Sequence, residues 1–416
     1  MTTTGPETFS LLDPELLKDP FGAYGGLRER APLTRGVIPG LDPMWLVTRY
    51  EDVKLVMNDP RFVASAAAVP GADVPDLTGQ MLLAGGIDED YVPYLRATMS
   101  GFDGADHARL RRLVSRAFTA RRVAELRPRV EQITEGLLDE LPGLAEDGVT
   151  DLLRDFAYPL PITVICELVG VPEADRPRWR ELSALIAPGL GPGMAEGVRG
   201  LVDDTRELIG LRRAEPAEDL ISELIRAQDE DGDRLSDIEL VTMVVSLVTA
   251  GHETTAHLIG NGMAALLTHP GQLALLRDDP GLLPRAVHEL MRWCGPAIGT
   301  SFRYATEDLE IGGMPVRRGE ALMPVLAAAN HDPRAFGDPD RLDLTRDPDR
   351  RRETHVGFGH GPHYCLGAAL ARQEGEVAFG VVLRRFPGLA LAVDPADLRR
   401  GPNPGSWQLA ALPVRL

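Results

Sequence analysis

One long apolar helix constrains the fold of this chain more than any other feature. Ser236 and Glu239 have the spacing of a capping box, in which each side chain bonds the other residue's backbone at a helix start. Apolar residues then follow from Ile238 to Leu267, and His269-Pro270 ends the pattern. At about 1.5 Å per residue this helix is about 45 Å long. Because it is apolar on most sides, it must be buried, and the rest of the chain has to pack around it.

The middle of this predicted helix carries the polar segment Ala250-Gly251-His252-Glu253-Thr254-Thr255. A glycine, an acid and two threonines oppose both helix propensity and burial. Such local conflicts are typical of functional sites. The order His252-Glu253 invites comparison with the zinc-protease pattern, but that pattern needs two histidines four residues apart. His252 and His257 are separated by about 140° around a helix, so we do not favour a shared metal.

A glycine-rich run from Gly357 to Gly367 contains Cys365 and leads into a helical pattern from Ala368 to Phe386. A helix amino terminus lowers the pKa of a thiol, and glycines let the backbone approach a flat, bulky group. A thiolate held in this way is a strong single ligand for iron. The run lacks the glycine spacing, strand and acidic residue of a dinucleotide loop. A hydrolase pair of Cys365 and His363 has no oxyanion signature, and we do not favour it.

Size and charge narrow the class of protein. The 416 residues are 44% apolar, which is enough for a large core, and helical patterns dominate. Strand patterns are few: Met44–Thr48, and a hairpin of Leu309–Ile311 with Met314–Val316 around Gly312-Gly313. The net charge of −18 disfavours nucleic acid and anionic membranes as partners. Three scattered cysteines and no apolar leader within the first twenty residues predict a cytoplasmic protein.

Two charged features remain open at this point. The pair Glu289 and Arg292 has helical i, i+3 spacing in apolar surroundings, and a buried pair needs further hydrogen bonds, so we expect a third member. A basic cluster also stands out in this acidic chain, and it is either a solvated helix face or a functional patch. Its members are Arg109, Arg111, Arg112, Arg116, Arg121 and Arg122.

Together these motifs resemble those of cytochrome P450 proteins, the haem-thiolate monooxygenases, of the soluble bacterial, actinomycete-like class. The resemblance spans nearly the whole chain, and its motifs occur in the family's order. It includes the opening sheet and helix (Trp45–Tyr50, Asp59–Phe62), the oxygen-binding segment (Ala250–Thr255), the Glu-x-x-Arg pair, the segment Phe336–Arg341 and the cysteine loop. The resemblance makes Arg341 the third member of the buried network with Glu289 and Arg292.

The resemblance implies a mainly α fold, a large helical domain with a small β-rich region. It places haem b, iron protoporphyrin IX, between the long central helix and the helix following Cys365. Residues 1–416 are expected to form a single haem domain without a fused reductase. The residues implied to contact haem are Cys365 as iron ligand, His107, Arg111, Arg303 and His355 at the propionates, and Phe358, Gly359, Gly367, Ala250 and Gly251 around the ring.

The implied activity is insertion of one oxygen atom of O2 into a lipophilic small molecule, by hydroxylation or epoxidation. We expect natural-product (macrolide, polyketide or peptide) and antibiotic biosynthesis, with electrons from ferredoxin and ferredoxin reductase that dock on the basic cluster. Thr254 and Glu253 are expected to relay protons. Thr255 is expected to bond back to a helix carbonyl and receives no role. The predicted substrate pocket comprises Leu247, Val248, Ile298 and Trp407.

Two alternatives stay open. The same haem chemistry can lead to ring coupling or desaturation, which the sequence does not separate from oxygen insertion. A catalytically silent haem-fold protein that recruits partners belongs to another class, and the intact pair of Glu253 and Thr254 argues against it.

Overall fold

The computed structural model of the chain describes residues 8–71, 73–186, 193–230, 235–346 and 354–416. The predicted mainly α architecture is confirmed. The helices are α1 (Pro14–Lys18), α2 (Pro20–Arg30), α3 (Tyr50–Asn58), α4 (Leu77–Ala84), α5 (Val92–Arg96), α6 (Gly104–Ser115), α7 (Ala120–Leu144), α8 (Pro159–Val169), α9 (Arg176–Ile186), α10 (Met194–Ala214), α11 (Leu220–Glu230), α12 (Asp237–Thr268), α13 (Pro270–Asp278), α14 (Leu283–Cys294), α15 (Leu326–Asn330) and α16 (Ala368–Arg385). In the described ranges no helix has the length and apolar content needed to cross a membrane.

The strands form three small sheets. They are β1 (Thr8–Ser10), β2 (Leu33–Val37), β3 (Met44–Val47), β4 (Phe62–Val63), β5 (Thr150–Asp151), β6 (Arg303–Ala305), β7 (Leu309–Ile311), β8 (Met314–Val316), β9 (Ala321–Pro324), β10 (Ala390–Leu391) and β11 (Pro413–Arg415). The six-stranded sheet has the order β1-β2-β3-β9-β6-β4, with Trp45 opposite Leu322 and Arg303 opposite Leu322. This sheet therefore places Arg303 beside the amino-terminal strands. The predicted hairpin is confirmed as β7–β8.

Helix α12 forms the axis of the helical part, as the apolar pattern predicts. The capping box is confirmed, because the Glu239 N–H donates to Ser236 Oγ at 3.1 Å and the Ser236 N–H donates to Glu239 Oε2 at 2.7 Å. Helices α8, α10, α14 and α16 pack against α12. Glycine permits the closest of these approaches, since a Cβ at Gly262 would lie 2.5 Å from Phe379 Cζ of α16.

A buried ionic network ties α14 to the segment that follows α15. Glu289 and Arg292 are 4% and 2% exposed, and Arg292 donates to both Glu289 carboxylate oxygens at 2.7 and 2.8 Å. Arg292 also donates to the carbonyls of Asn330 and Pro339. These bonds satisfy both charges, as a buried pair requires.

The third side chain of this network is Arg346, so the prediction of Arg341 is wrong. Arg346 Nε donates to Glu289 Oε1 at 3.2 Å, whereas the Arg341 side chain is 66% exposed. The Arg341 N–H bonds the carbonyl of Asp338, whose φ of +46° marks a tight turn. The next residue, Leu342, packs into the core and turns the Arg341 side chain outward, leaving only its carbonyl to accept from Arg292 Nη2 at 3.3 Å.

Replacing Arg346 with alanine should destabilise the protein by about 1 to 3 kcal/mol, because Glu289 loses one of its buried partners. The matched variant Arg341→Ala should change the free energy of unfolding by less than about 0.5 kcal/mol, because that side chain lies at the surface. Urea unfolding of both variants measures the difference. An equal effect of the two substitutions would contradict the assignment of Arg346.

Candidate functional site

The cysteine loop lies directly before α16 and is held there by a backbone hydrogen bond and by close contact with α3. Cys365 is exposed, and its N–H donates to the carbonyl of Phe358 at 2.8 Å. Gly359 and Gly361 have φ values of +80° and +71°, which favour glycine. A Cβ at Gly361 would lie 2.8 Å from the Met57 carbonyl oxygen of α3, so the loop also touches α3 more closely than a larger residue allows. The thiol is thereby presented at the start of a helix.

The other two cysteines are unsuited to act as thiolates. Cys166 and Cys294 are buried, and burial raises the pKa of each thiol to about 12. Cys294 Sγ also donates to the carbonyl of Leu290. Among the three cysteines, Cys365 is therefore the candidate metal ligand.

A cavity of about 440 Å³ lies between α6, α12 and the cysteine loop. Ala250 and Gly251 of α12 form one part of its wall, and Cys365 and Gly367 form another. This volume is within the range of small-molecule and cofactor sites. The structure thus brings the central helix and the start of α16 to one cavity, as the sequence predicts.

Thr254 and Thr255 of α12 differ from expectation. Thr254 Oγ1 donates to the Ala250 carbonyl at 2.7 Å, and Thr255, which is 4% exposed, contributes to the cavity wall. The expected backbone bond of Thr255 is therefore found at Thr254. Gly251 also brings α12 against α8, since a Cβ there would lie 3.2 Å from Ile165.

Glu253 does not contribute to the cavity wall. Its carboxylate lies on another side of α12, 3.3 Å from His257 Nε2 and 3.7 Å from His252 Nδ1. Within the described ranges, no group of three or more His, Cys, Asp or Glu side chains could hold a metal ion, so the zinc interpretation gains no support.

One end of the cavity is rich in cationic and imidazole groups that an anion would satisfy. His107, 5% exposed, and Arg111 both contribute to the wall, and His107 Nε2 has no partner among the described residues. Burial, and then the charges of the nearby His363 and Arg111, lower the pKa of His107 to about 4. Buried, unsatisfied donors of this kind fit a ligand that carries carboxylates, as haem does.

Arg303 adds a buried guanidinium to the same region. It is 4% exposed, and burial lowers its pKa. Asp103 is the carboxylate whose charge acts on Arg303, but Asp103 Oδ2 accepts from the Ala64 N–H at 2.6 Å and Oδ1 lies 3.2 Å from His363 Nε2. The charge of Arg303 is therefore compensated weakly in this structure.

His355 has contacts at both ring nitrogens. The Gly357 N–H donates to His355 Nδ1 at 3.2 Å, and Nε2 lies 3.2 Å from His288 Nδ1. Since Nδ1 accepts, these contacts assign the proton to Nε2, which donates to His288. His355, Arg303, Phe358 and Gly359 are not part of the cavity wall, and their contacts with a cofactor stay predictions.

Of the predicted substrate contacts, Leu247 alone contributes to the cavity wall. Val248 is fully buried in the core. Leu247, Ala250 and Gly251 share one helix face, and the Val248 side chain points about 100° away from that of Leu247. Ile298 is 2% exposed and belongs to a separate apolar cluster with Met323. Val248 and Ile298 are therefore not part of this cavity's wall, and their contact with a substrate stays a prediction.

Trp407, the fourth predicted substrate contact, is not part of this cavity's wall either. Ser406 pairs with Ala297, and the next side chain points to the opposite side of the strand-like segment. Trp407 accordingly lies in another cleft, of about 1110 Å³, under the Arg400 guanidinium at 3.9 Å. This cleft is larger than the first cavity. The one cysteine in its wall is Cys294, and burial keeps the thiol of Cys294 neutral. We therefore assign the functional site to the smaller cavity.

Glu374 of α16 is a cavity residue that the sequence reasoning missed. It is 2% exposed, its Oε2 has no hydrogen-bond partner among the described residues, and burial raises its pKa to about 8. Glu374 lies on the same helix face as the apolar residues Leu370 and Val377, so the helical periodicity of the sequence already indicates that its carboxyl is buried. A carboxyl in this environment is held neutral at pH 7.

The raised pKa of Glu374 makes stability fall as pH rises. Between about pH 5 and 8 the folded state holds a proton that the unfolded state has released. Across this range the free energy of unfolding of the wild type should fall by up to about 3 kcal/mol relative to that of Glu374→Gln. Urea unfolding at pH 5.5, 7 and 8.5 measures this difference. Glu376→Gln, which removes a partly exposed partner of Arg127, should give a difference that is flat with pH. A flat difference for Glu374→Gln as well would contradict the prediction.

Comparisons with known proteins show which family this chain resembles. A family model described as Cytochrome P450 matches residues 201–395. The chain is 43% identical to Cytochrome P450 107B1 of Saccharopolyspora erythraea over 416 residues, which covers 100% of this chain and 99% of that protein. It is 40% identical to the mycinamicin IV hydroxylase/epoxidase of Micromonospora griseorubida, over 91% of each chain. The solved structure of CxnD, a P450 enzyme for C-S bond formation in chuangxinmycin biosynthesis, superposes with a TM-score of 0.86 at 35% identity, covering 99% of this chain and 98% of that chain.

Proposed function

The chain belongs to the cytochrome P450 family, and we propose that it is a haem-thiolate monooxygenase that hydroxylates or epoxidises a lipophilic small molecule. The observation that carries the proposal is the position of Cys365. This exposed thiol stands at the start of α16 and shares one cavity with Ala250 and Gly251 of α12. We propose residues 1–416 as one haem domain.

The cofactor we propose is haem b, with Cys365 as its iron ligand. His107, Arg111 and Arg303 are the groups we assign to the propionates, because His107 and Arg111 line the cavity, His107 Nε2 has no partner among the described residues and Arg303 is a buried guanidinium with weakly compensated charge. His355 would join them by moving its Nε2–H from His288 to a carboxylate. When bound, thiolate-ligated haem supplies reductive activation of O2, because the thiolate donates electron density that favours O–O cleavage.

Thr254 and Glu253 are the residues that we assign to proton handling. The Thr254 hydroxyl gives its hydrogen to the Ala250 carbonyl, so its oxygen is available to accept a hydrogen bond from water. Glu253 follows directly in the chain and supplies a carboxylate that takes up and releases protons. Such a pair delivers protons to a site from which bulk water is excluded.

The substrate we propose is a lipophilic natural product, of the macrolide, polyketide or peptide type, which places the enzyme in antibiotic biosynthesis. Phe118, Ile165, Met243 and Leu247 give the cavity a largely apolar wall. A relative named for hydroxylation and epoxidation of mycinamicin IV supports oxygen insertion. The structural neighbour named for C-S bond formation favours bond coupling as the second candidate.

The ligand assignment is tested by Cys365→Ser, with Cys294→Ser as the matched control. The first variant should lose the thiolate signature in the absorption spectrum of the reduced carbonyl complex, because a serine oxygen replaces the sulfur ligand. The control should keep the signature, because its hydroxyl preserves the bond to the Leu290 carbonyl. A retained signature in Cys365→Ser would exclude this residue as ligand and remove the basis of the proposal.

Electrons, we propose, arrive from a separate ferredoxin and its reductase. In the basic cluster, Arg109, Arg121 and Arg122 pair with Glu239, Glu125 and Glu223, respectively. Arg112 and Arg116 are exposed and four residues apart at the end of α6, the helix that carries His107 and Arg111. These two arginines are the best candidates to attract an acidic protein close to the cofactor.

Reversing Arg112 and Arg116 to Glu should slow reduction by ferredoxin about tenfold or more at low salt and flatten the dependence of the rate on salt. Stopped-flow reduction at several ionic strengths measures both effects. The control Arg178→Glu/Arg199→Glu makes the same change in net charge on α9 and α10 and should leave the rate nearly unchanged. Equal effects of both double variants would show that overall charge, and not this patch, governs reduction.

A further inference from the structure

The geometry points to His257 and Tyr158 as positioning residues that hold the Glu253 carboxylate on the α8 side of α12, where protons enter the relay. This inference rests on the proposed function, because it specifies how Glu253 serves Thr254. His257 lies four residues after Glu253, so both side chains project from one face of the helix.

The carboxylate of Glu253 is enclosed by these two residues. Glu253 Oε2 lies 3.3 Å from His257 Nε2, and Tyr158 Oη lies 3.3 Å from the same nitrogen. The His257 side chain is 2% exposed and that of Glu253 is 13% exposed. Since a carboxylate only accepts hydrogen bonds, these contacts assign the His257 proton to Nε2. His257 Nδ1 has no partner among the described residues, which agrees with a bare acceptor there and with a fixed N–H donor to Glu253.

Tyr158 is placed here by an irregular turn of backbone. Residues Leu153–Ala157 form one π-helical turn, and the Tyr158 N–H donates to the Leu153 carbonyl just before α8 begins. Such turns insert a residue and often occur at functional sites. The Tyr158 ring then stands edge-on to both His252 and His257, with centroids 5.7 and 5.4 Å away.

The surroundings keep Tyr158 a hydrogen donor. Burial, and then the charge of Glu253 together with a hydrogen bond to it, raises the pKa of Tyr158 well above its usual value. Burial lowers the pKa of His252 to about 4, so this neighbour stays neutral near pH 7. The other charged groups that act on Tyr158 are Arg180 of α9 and Asp151 of β5.

Tyr158 also marks the solvent side of the cluster. It is half-buried, whereas His252 and His257 are almost fully buried. Arg180, whose Nη2 donates to the Arg154 carbonyl at 3.4 Å, is half-buried as well. The contacts among Tyr158, His257 and Glu253 therefore lead from the half-buried side of the cluster to the carboxylate that the proposed function assigns to proton delivery.

The test compares His257→Phe with His257→Gln and Tyr158→Phe in the haem-loaded enzyme, supplied with a surrogate ferredoxin and reductase. His257→Phe should lower the product formed per reductant consumed by at least about threefold, because the carboxylate loses its N–H donor. His257→Gln should restore most of this loss, since its amide supplies an N–H at the same place. Tyr158→Phe should give an intermediate loss.

Two further measurements distinguish a relay from simple packing. The double variant Thr254→Ala/His257→Phe should form as much product per reductant consumed as Thr254→Ala alone, because both changes act on one relay. In protein labelled with 15N-histidine, His257 should appear as the Nε2–H tautomer, and its signal should move in Glu253→Gln.

Three results would overturn the inference: unchanged coupling in His257→Phe, failure of glutamine to rescue a well-folded His257 variant, or an Nδ1–H tautomer. In each case a retained thiolate signature and product formation would leave the proposed function standing. Loss of haem binding by the wild-type protein would instead remove the proposed function itself.

Discussion

The burial of α12 is the constraint on which the other elements depend. A helix of 32 residues that is apolar on nearly all sides has to be covered along its whole length, and α8, α10, α14 and α16 provide that cover. Two parts of the same helix face different neighbours. Ala250 and Gly251 border the cavity that contains Cys365, whereas the Glu253 carboxylate and His257 lie on another side, next to Tyr158 at the start of α8. Thr254 follows Glu253 in the chain and bonds the Ala250 carbonyl, so one helix carries both the wall of the cavity and the proposed route for protons.

Two groups of buried polar side chains differ in how fully their charges and hydrogen-bond donors are satisfied by the protein itself. Around Glu289 every buried charge has partners, since Arg292 and Arg346 and several carbonyls share the bonds. Around His107 and Arg303 the donors are left with little compensation. The first arrangement stabilises the chain by itself, whereas the second is costly until an anion binds. This contrast separates a structural network from a binding site without reference to any relative.

The features predicted from sequence are those set by local chemistry. The capping box, the bounds of α12 and the β7–β8 hairpin follow from spacing within a few residues, and the structure agrees with them. Side-chain direction is what the sequence does not determine. Arg341 and Arg346 lie in one segment, and only the turn at Asp338 decides which of them reaches Glu289. Trp407 and Val248 do not line the cavity for a similar reason, because a residue's neighbours in sequence do not tell which face of a segment meets the cavity. Glu374 is the reverse case, because its place on the apolar face of α16 could have been predicted from the helical periodicity.

The close contact of Gly361 with α3 has a consequence for recombination among related enzymes. The loop that presents Cys365 rests on the Met57 carbonyl, some three hundred positions earlier in the chain. A hybrid protein that takes its carboxyl-terminal third from another parent therefore inherits the sulfur from one parent and the support beneath it from the other. Crossovers that keep α3 and the cysteine loop from the same parent preserve the close contact between Gly361 and the Met57 carbonyl. These two distant segments should therefore be exchanged together.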